Sequence, residues 1–312
     1  MEIKMSKKIL VATEKPFAPA AIIKMKEAVA NHPGYELELL ESYEGQQAFI
    51  DAAKTADAII IRSDKATKEV LETSTAKIIV RAGAGFDNID LAAAKDLGIV
   101  AMNTPGQNSN AVAELVLGMM VFTARGKFNG KAGTELKVKK IGIHAYGNVG
   151  KNVARIAKGF GMEVIAFDPF VAKEVIEADG VKVVDSMEEL YAACDYVSLH
   201  IPANDKTKES INFDLLSKMP KGGTLINTAR KEVVCEGDLA KLFTERPDFT
   251  YISDIAPSNR DILEEQFADQ CLFTPKKMGA QTAEANINAG VAGIEQIVAF
   301  FEKGDTTFQV NK

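Results

Sequence analysis

The chain has 312 residues, 46% hydrophobic and 26% charged, a balance typical of a folded globular protein; this length suits one large domain or two of about 150 residues. Its formal net charge of -6 is spread over interspersed acidic and basic residues, which argues against a basic groove for nucleic acid or a cationic face for anionic membranes. The opening MEIKMSKKILVAT has no apolar core of a signal peptide, whether Met1 or Met5 starts the chain, and no apolar run approaches a membrane span, so a cytoplasmic setting is expected.

Cys194, Cys235 and Cys271 lie far apart and form no CxxC or Cys/His cluster, which predicts buried thiols in a reducing compartment. Only three histidines are present, none in an HExxH-like spacing, so no metal is expected.

Short β-rich apolar runs alternate with amphipathic helical patterns, the signature of parallel α/β sheets. The first set of expected strands is KILVAT (8–13), YELELL (35–40), DAIIIR (57–62), KIIVRA (77–82) and IVAMN (99–103), with FAPAAIIKMKEAVA and NIDLAAAKDLG as helices between them. SNAVAELVLGMMVFTARG (109–126) breaks the alternation with a long helical pattern apolar on more than one face, expected to be buried between domains or subunits. The second set is KIGIHA (140–145), EVIAFD (163–168), VKVV (181–184), DYVSLHI (195–201), GTLINTA (223–229) and TYISDI (250–255). A closing helix over about 282–303 reaches Gly304, a suitable C-cap. Two such sets predict an α/β protein of two doubly wound parallel-sheet, Rossmann-like domains.

After KIGIH, residues 145–150 read AYGNVG, close to the dinucleotide fingerprint GxGxxG. Gly147 lets backbone approach a pyrophosphate, and Gly150 lets helix and strand pack closely, with Asn148 and Val149 completing the turn. Ala145 replaces the first glycine, which is tolerable if its φ stays negative. A helix over 148–160 then points its N–H groups at the phosphates. Asp168 ends the next strand 23 residues after Ala145, the place of an acid that binds the ribose diol. An acid there repels a 2′-phosphate, so NAD is favoured over NADP; the plainer alternative is that Asp168 caps a turn with Pro169.

With these motifs the chain resembles the D-isomer-specific 2-hydroxyacid dehydrogenases over about residues 8–303. The resemblance is carried by IRS (61–63), RAGAGFDNID (81–90), NTPGQNSNAVAEL (103–115), VSLHIP (197–202), LINTAR (225–230) and FTPKKMGAQT (273–282). It implies a nucleotide domain (104–282) inserted into a substrate domain (1–103 plus 283–312), an active site in the cleft between them, and a homodimer with the 109–126 helix as its candidate interface.

Within RAGAG, small residues after a strand, Ala84 and Gly85 among them, can turn successive N–H groups into a nest for a carboxylate. Arg62 ends its strand, and the resemblance makes it a substrate-phosphate contact, with Ser63 and Asn108 as further substrate contacts. Arg230 matches the arginine that holds the substrate carboxylate and polarises the C2 oxygen, a task suited to a bidentate fork. Lys231 follows it where the family usually has glycine. His200, Thr228, Ala229 and Gly279 match cofactor-lining positions, and Asp254 matches the acid beside the nicotinamide.

The family commonly carries histidine directly after TP, paired with a glutamate five residues beyond the Asp254 position. Here Lys276 and Asn259 occupy those places. A lysine base needs surroundings that disfavour its ammonium form; burial beside Arg230 and the cationic nicotinamide supplies them, and a glutamate would oppose them. Lys276 is therefore the expected general acid/base, with Lys277 solvated or near the substrate phosphate. The implied reaction is NAD-dependent oxidation of 3-phosphoglycerate at C2, opening serine biosynthesis, without the regulatory domain that some relatives append. The alternatives are reduction of an unphosphorylated 2-oxo acid such as glyoxylate or hydroxypyruvate, and NAD(H) sensing without chemistry.

Overall fold

The computed structural model describes residues 6–312. Met1–Met5, and with them the choice of start and the beginning of the stretch read for a leader, lie outside the described residues.

Two parallel sheets organise the chain. The first contains β1 (Lys7–Thr13), β2 (Tyr35–Glu41), β3 (Ala58–Ile61), β4 (Ile78–Arg81) and β5 (Val100–Asn103), in the order β2-β1-β3-β4-β5. The second contains β6 (Lys140–His144), β7 (Glu163–Phe167), β8 (Lys182–Val183), β9 (Tyr196–Leu199), β10 (Thr224–Asn227), β11 (Thr250–Ser253) and β12 (Cys271–Phe273), in the order β12-β11-β10-β9-β6-β7-β8. The central strands read as unbroken apolar runs because helices cover both faces: Ile9, Leu10 and Val11 are buried on either side of β1, as are Ile59, Ile60 and Ile61 in β3.

One compact unit runs to Asn108 and resumes over Gln281–Lys312; the other is the continuous stretch Ser109–Ala280. In the first, the closing helix Ala283–Lys303 packs on the helix Pro19–Ala30 and against β4. It ends at Gly304, whose φ of 66° is the left-handed cap expected there. The tail then covers the edge of β5. Val310 N–H donates to the Ala101 carbonyl at 2.8 Å, Ala101 N–H donates to Asn311 Oδ1 at 3.0 Å, and Asn311 Nδ2 donates to the Ile99 carbonyl at 2.8 Å. In the second unit, the long helix Ser109–Ala124 lies against the helix Asn148–Gly159.

Several expectations are corrected. CLF forms a strand, β12, that its three residues were too few to announce. VKVV shrinks to the two residues of β8. The long helix ends at Ala124 and gives way to a 3-10 turn at Gly126–Phe128, because Gly126 and Lys127 both take positive φ. Cys194 and Cys271 are buried, and burial raises the Cys194 thiol to about 12, but Cys235 is only half-buried. Among the described residues no helix is long and apolar enough to cross a membrane, and no group of three His, Cys, Asp or Glu side chains could hold a metal ion.

Candidate active site

In an open parallel sheet, ligands collect where the strand order reverses, at the carboxyl ends of the strands. In the second unit that point falls at β6, flanked by β7 on one side and β9 on the other. The AYGNVG turn leaves β6 there. Gly147 caps the helix Asn148–Gly159, whose first turn holds Asn148, Val149 and Gly150 and whose N-cap makes no side-chain hydrogen bond. A Cβ on Gly147 would meet nothing in the protein, so glycine there serves close approach from outside. A Cβ on Gly150 would run into the Ala145 carbonyl and lie 2.9 Å from Ile143 Cγ2, which is the helix–strand packing expected of that glycine.

Ala145 departs from expectation: its φ is +80°, not negative. Its own N–H donates to the Phe167 carbonyl at 2.9 Å, and the next N–H, from Tyr146, must swing onto Asp168 Oδ2 at 2.7 Å. The left-handed turn makes that swing. Asp168 Oδ1 also accepts from Phe170 N–H at 2.8 Å and Val171 N–H at 3.2 Å. The carboxylate thus caps the turn after β7 and ties it to the phosphate turn. A carboxylate has about four acceptor positions, so capacity remains for a ribose hydroxyl.

His200 follows β9, and its N–H donates to the His144 carbonyl at 2.9 Å. Its Nε2 is shielded and partnerless among the described residues. Burial lowers His200 to about 3, helped by His144; burial also lowers His144 to about 4 against the pull of Asp168. Both imidazoles are neutral at pH 7 and line the switch point as polar but uncharged rings.

At the end of β10, Asn227 is a buried side chain that lies within the LINTAR motif but was given no role there. Its Oδ1 accepts the Ala229 N–H at 2.9 Å and its Nδ2 donates to the Arg230 carbonyl at 2.9 Å, folding the Thr228-Ala229-Arg230 turn around itself. A polar residue closing an otherwise apolar run was the available signal. Thr228 is buried with its hydroxyl partnerless among the described residues. Arg230 is exposed, with one guanidinium N–H on the Ala229 carbonyl at 2.9 Å. Lys231, in the family's glycine place, donates to Ser258 Oγ at 3.1 Å.

Asp254, 1% exposed, follows β11. Its Oδ1 accepts from Met278 N–H at 2.7 Å and lies 2.9 Å from the Thr274 hydroxyl, and its Oδ2 accepts from Gly279 N–H at 2.8 Å. The TPKKMG loop is wrapped around this carboxylate. Lys276 stands in the middle of the loop and is exposed, as is Lys277. The burial expected of Lys276 is therefore absent: its flanks are tied down and its side chain left in solvent. Asn259 donates to the Glu236 carbonyl at 3.4 Å.

In the first unit, β1 is flanked by β2 and β3, and Arg62 follows β3 at that switch point. Its guanidinium lies 4.9 Å over the Phe17 ring and donates to the Pro16 carbonyl at 3.0 Å. Asp64, unmarked by any motif, is buried and accepts from Glu14 N–H at 2.6 Å and the Tyr43 hydroxyl at 2.9 Å, joining the exits of β1 and β3. Ser63 and Ala84 are exposed, while Gly85 and Asn108 are half-buried. The Ala84 carbonyl accepts from Asn103 Nδ2 at 2.6 Å, which fixes the RAGAG turn after β4.

These groups fit a dinucleotide: an uncapped helix start behind a glycine turn, an acid with spare acceptors, and two orphaned polar atoms, on His200 and Thr228. The second unit is thus a dinucleotide-binding domain of the doubly wound class. Residues 111–275 match the family described as D-isomer specific 2-hydroxyacid dehydrogenase, NAD binding domain. The chain belongs to this family of NAD-dependent dehydrogenases, and its cofactor is NAD.

Among relatives, a D-3-phosphoglycerate dehydrogenase of Methanocaldococcus jannaschii is 34% identical over 275 residues, 81% of this chain and 51% of that one. A hydroxypyruvate reductase of Thermotoga maritima is 34% identical over 284 residues, 84% of this chain and 90% of that one. The NAD+-bound 3-phosphoglycerate dehydrogenase structure from Entamoeba histolytica is 45% identical, covers 98% of this chain and 99% of that one, and superposes with a TM-score of 0.86. The chain thus spans about half the length of the Methanocaldococcus enzyme and nearly all of the other two.

Proposed function

We propose that the protein oxidises 3-phosphoglycerate to 3-phosphohydroxypyruvate with NAD, and catalyses the reverse reduction, as a homodimer. The observation that carries this reading is the near full-length likeness to the Entamoeba enzyme. Bound NAD supplies the hydride acceptor for the hydrogen on C2. The chain's own residues bind, orient and move the proton. Arg62, stacked on Phe17 and with donors to spare, takes the phosphate. The RAGAG turn and Asn108 contribute further substrate contacts.

Arg230, projecting from the turn that Asn227 braces, holds the carboxylate and polarises the C2 oxygen. Lys276 handles the proton of that oxygen. In the reducing direction an ammonium is already a donor, and exposure suits that form. In the oxidising direction Lys276, as the neutral amine, takes the hydroxyl proton.

The test is NADH oxidation with 3-phosphohydroxypyruvate beside hydroxypyruvate and glyoxylate, repeated with Lys276→Ala. The expected result is a strong preference for the phosphorylated acid and a kcat lowered about 10²–10⁴-fold in the variant. An unchanged kcat would remove Lys276 from the chemistry. The Thermotoga relative, matched over 90% of its length, favours a second reading as a reductase of an unphosphorylated 2-oxo acid; equal turnover of hydroxypyruvate would select it. NADH binding without turnover of any of the three would mark a sensor.

A further inference from the structure

Thr274 carries no expected role in the sequence motifs, yet it occupies the point where β12 hands over to the loop bearing Lys276. Its N–H donates to the Ser253 carbonyl at 3.1 Å, fixing its backbone beside the end of β11. Its hydroxyl faces Asp254 Oδ1 at 2.9 Å, the Asp254 carbonyl at 3.1 Å and the Lys276 carbonyl at 2.9 Å. A hydroxyl has one proton to donate. Asp254 already accepts the Met278 and Gly279 N–H groups, and donated to the Lys276 carbonyl the proton ties the residue that carries the amine to a side chain fixed at the end of β11. The far side of the loop is held independently, by the N–H groups of Met278 and Gly279 on the two oxygens of Asp254. Only three residues, Pro275 to Lys277, lie between these two attachments.

An exposed lysine has many rotamers, and proton transfer needs its amine within about 3 Å of one oxygen. Side-chain burial does not restrict Lys276; the remaining restriction is on its backbone. We propose that Thr274 is a positioning residue, holding the Lys276 backbone to the end of β11 so that the amine starts from a fixed point. This rests on the reading of Lys276 as the acid/base. Thr274 is a cleaner probe than Asp254, whose place beside the nicotinamide would mix two roles in one substitution.

The experiment is a double-mutant cycle in the full chain, with NADH and 3-phosphohydroxypyruvate, at enzyme concentrations that allow a rate lowered ten-thousandfold to be followed. Thr274→Val removes the hydroxyl and keeps the shape; Thr274→Ala is run in parallel so that the outcome does not hang on the fit of a methyl group. Thr274→Ser restores the hydroxyl. Loss of alignment lowers kcat by about ten- to a hundredfold in the Val and Ala variants, with the KM for NADH within about twofold of wild type. The Ser variant recovers most of the rate. In a Lys276→Ala background the same Thr274 changes cost less than about twofold, because the group they align is gone.

An unchanged kcat in the Val and Ala variants overturns the proposal. So does an equal loss in the Lys276→Ala background, or a Ser variant as slow as Val. A Lys276→Ala enzyme with wild-type kcat overturns the lysine reading itself, a different failure that the cycle separates from the others.

Discussion

Ala145 holds a backbone conformation that costs an L side chain about 1–2 kcal/mol. Its half-buried methyl packs against the core of the second unit and offsets part of that cost; the turn itself is set by the Tyr146 N–H reaching Asp168. Ala145→Gly is therefore expected to raise stability by only about 0.5 kcal/mol, the relief of strain exceeding the lost methyl packing and glycine's freedom in the unfolded chain. A urea midpoint that falls would show that the strain is already relaxed. The sequence presented a glycine place filled by alanine, and that pattern alone says nothing of the sign of φ. The sign comes from Asp168, just past the end of neighbouring strand β7, which takes the N–H of the next residue.

His144 makes a second residue-scale prediction. It is buried at the end of β6 with Nδ1 3.2 Å from the Tyr191 hydroxyl, and burial lowers it to about 4. Unfolded, it would titrate near about 6.5. Between those values the unfolded chain binds the proton and the folded one does not, so stability falls as pH drops from about 6.5 toward 4. His200, lowered to about 3, acts in the same direction. The loss from His144 is on the order of 3 kcal/mol by pH 4. Thermal unfolding between pH 7 and 4.5 checks this: His144→Phe should flatten the slope, and an equal slope in that variant would place the acid sensitivity elsewhere.

Between the strands of the second sheet, one device recurs. Asp168 after β7 and Asp254 after β11 each gather onto a carboxylate the N–H groups of the loop that leaves a neighbouring strand, β6 and β12 respectively. The first shapes the phosphate turn and the second shapes the lysine loop. Asp168→Asn replaces an acceptor oxygen with a donor opposite a backbone N–H, leaving groups unmatched at about 1–3 kcal/mol. It should lower Tm and weaken NADH binding together. Weakened binding at an unchanged Tm would mean that Asp168 acts on the ribose alone.

Gly279 is a comparable case, since a Cβ there would lie 3.1 Å from both Asp254 Oδ2 and Val112 Cγ2. These latches were only half legible. Each aspartate was visible as an acid at a strand end, but its backbone partners are fixed by how the loop returns. The strands were legible for the opposite reason: in a parallel sheet covered on both faces, burial writes itself as an apolar run. β8 and β12, with two and three residues at the two edges of the second sheet, fall below the length at which such a run can be told from chance.

At the scale of the whole chain, the two units differ in continuity, and that difference can be tested. Ser109–Ala280 is one uninterrupted stretch with a core on each face of its sheet. One core is built on Val197, Leu199, Leu225 and Phe243, the other on Met120, Ile141, Val153 and Ile252. Every group argued to meet NAD lies within it. The first unit is discontinuous: Ile294, Ile297 and Val298 of its closing helix belong to the same core as Ile9, Ile60 and Val80, and its last residues hydrogen-bond to the edge of β5.

Expressed alone, Ser109–Ala280 should fold cooperatively and bind NADH with an affinity within about tenfold of the full chain, because its core and its cofactor groups are all local. A fragment ending at Asn108 should fail to fold, since it lacks Ile294, Ile297 and Val298, the large aliphatic core side chains of the closing helix, at roughly 2–5 kcal/mol for each isoleucine and less for the valine. Near-UV circular dichroism and NADH fluorescence titration read both results. If the continuous fragment is unfolded, its two cores are not self-sufficient. If it folds but does not bind NADH, the switch-point groups are insufficient by themselves, and residues of the first unit must take part in holding the cofactor.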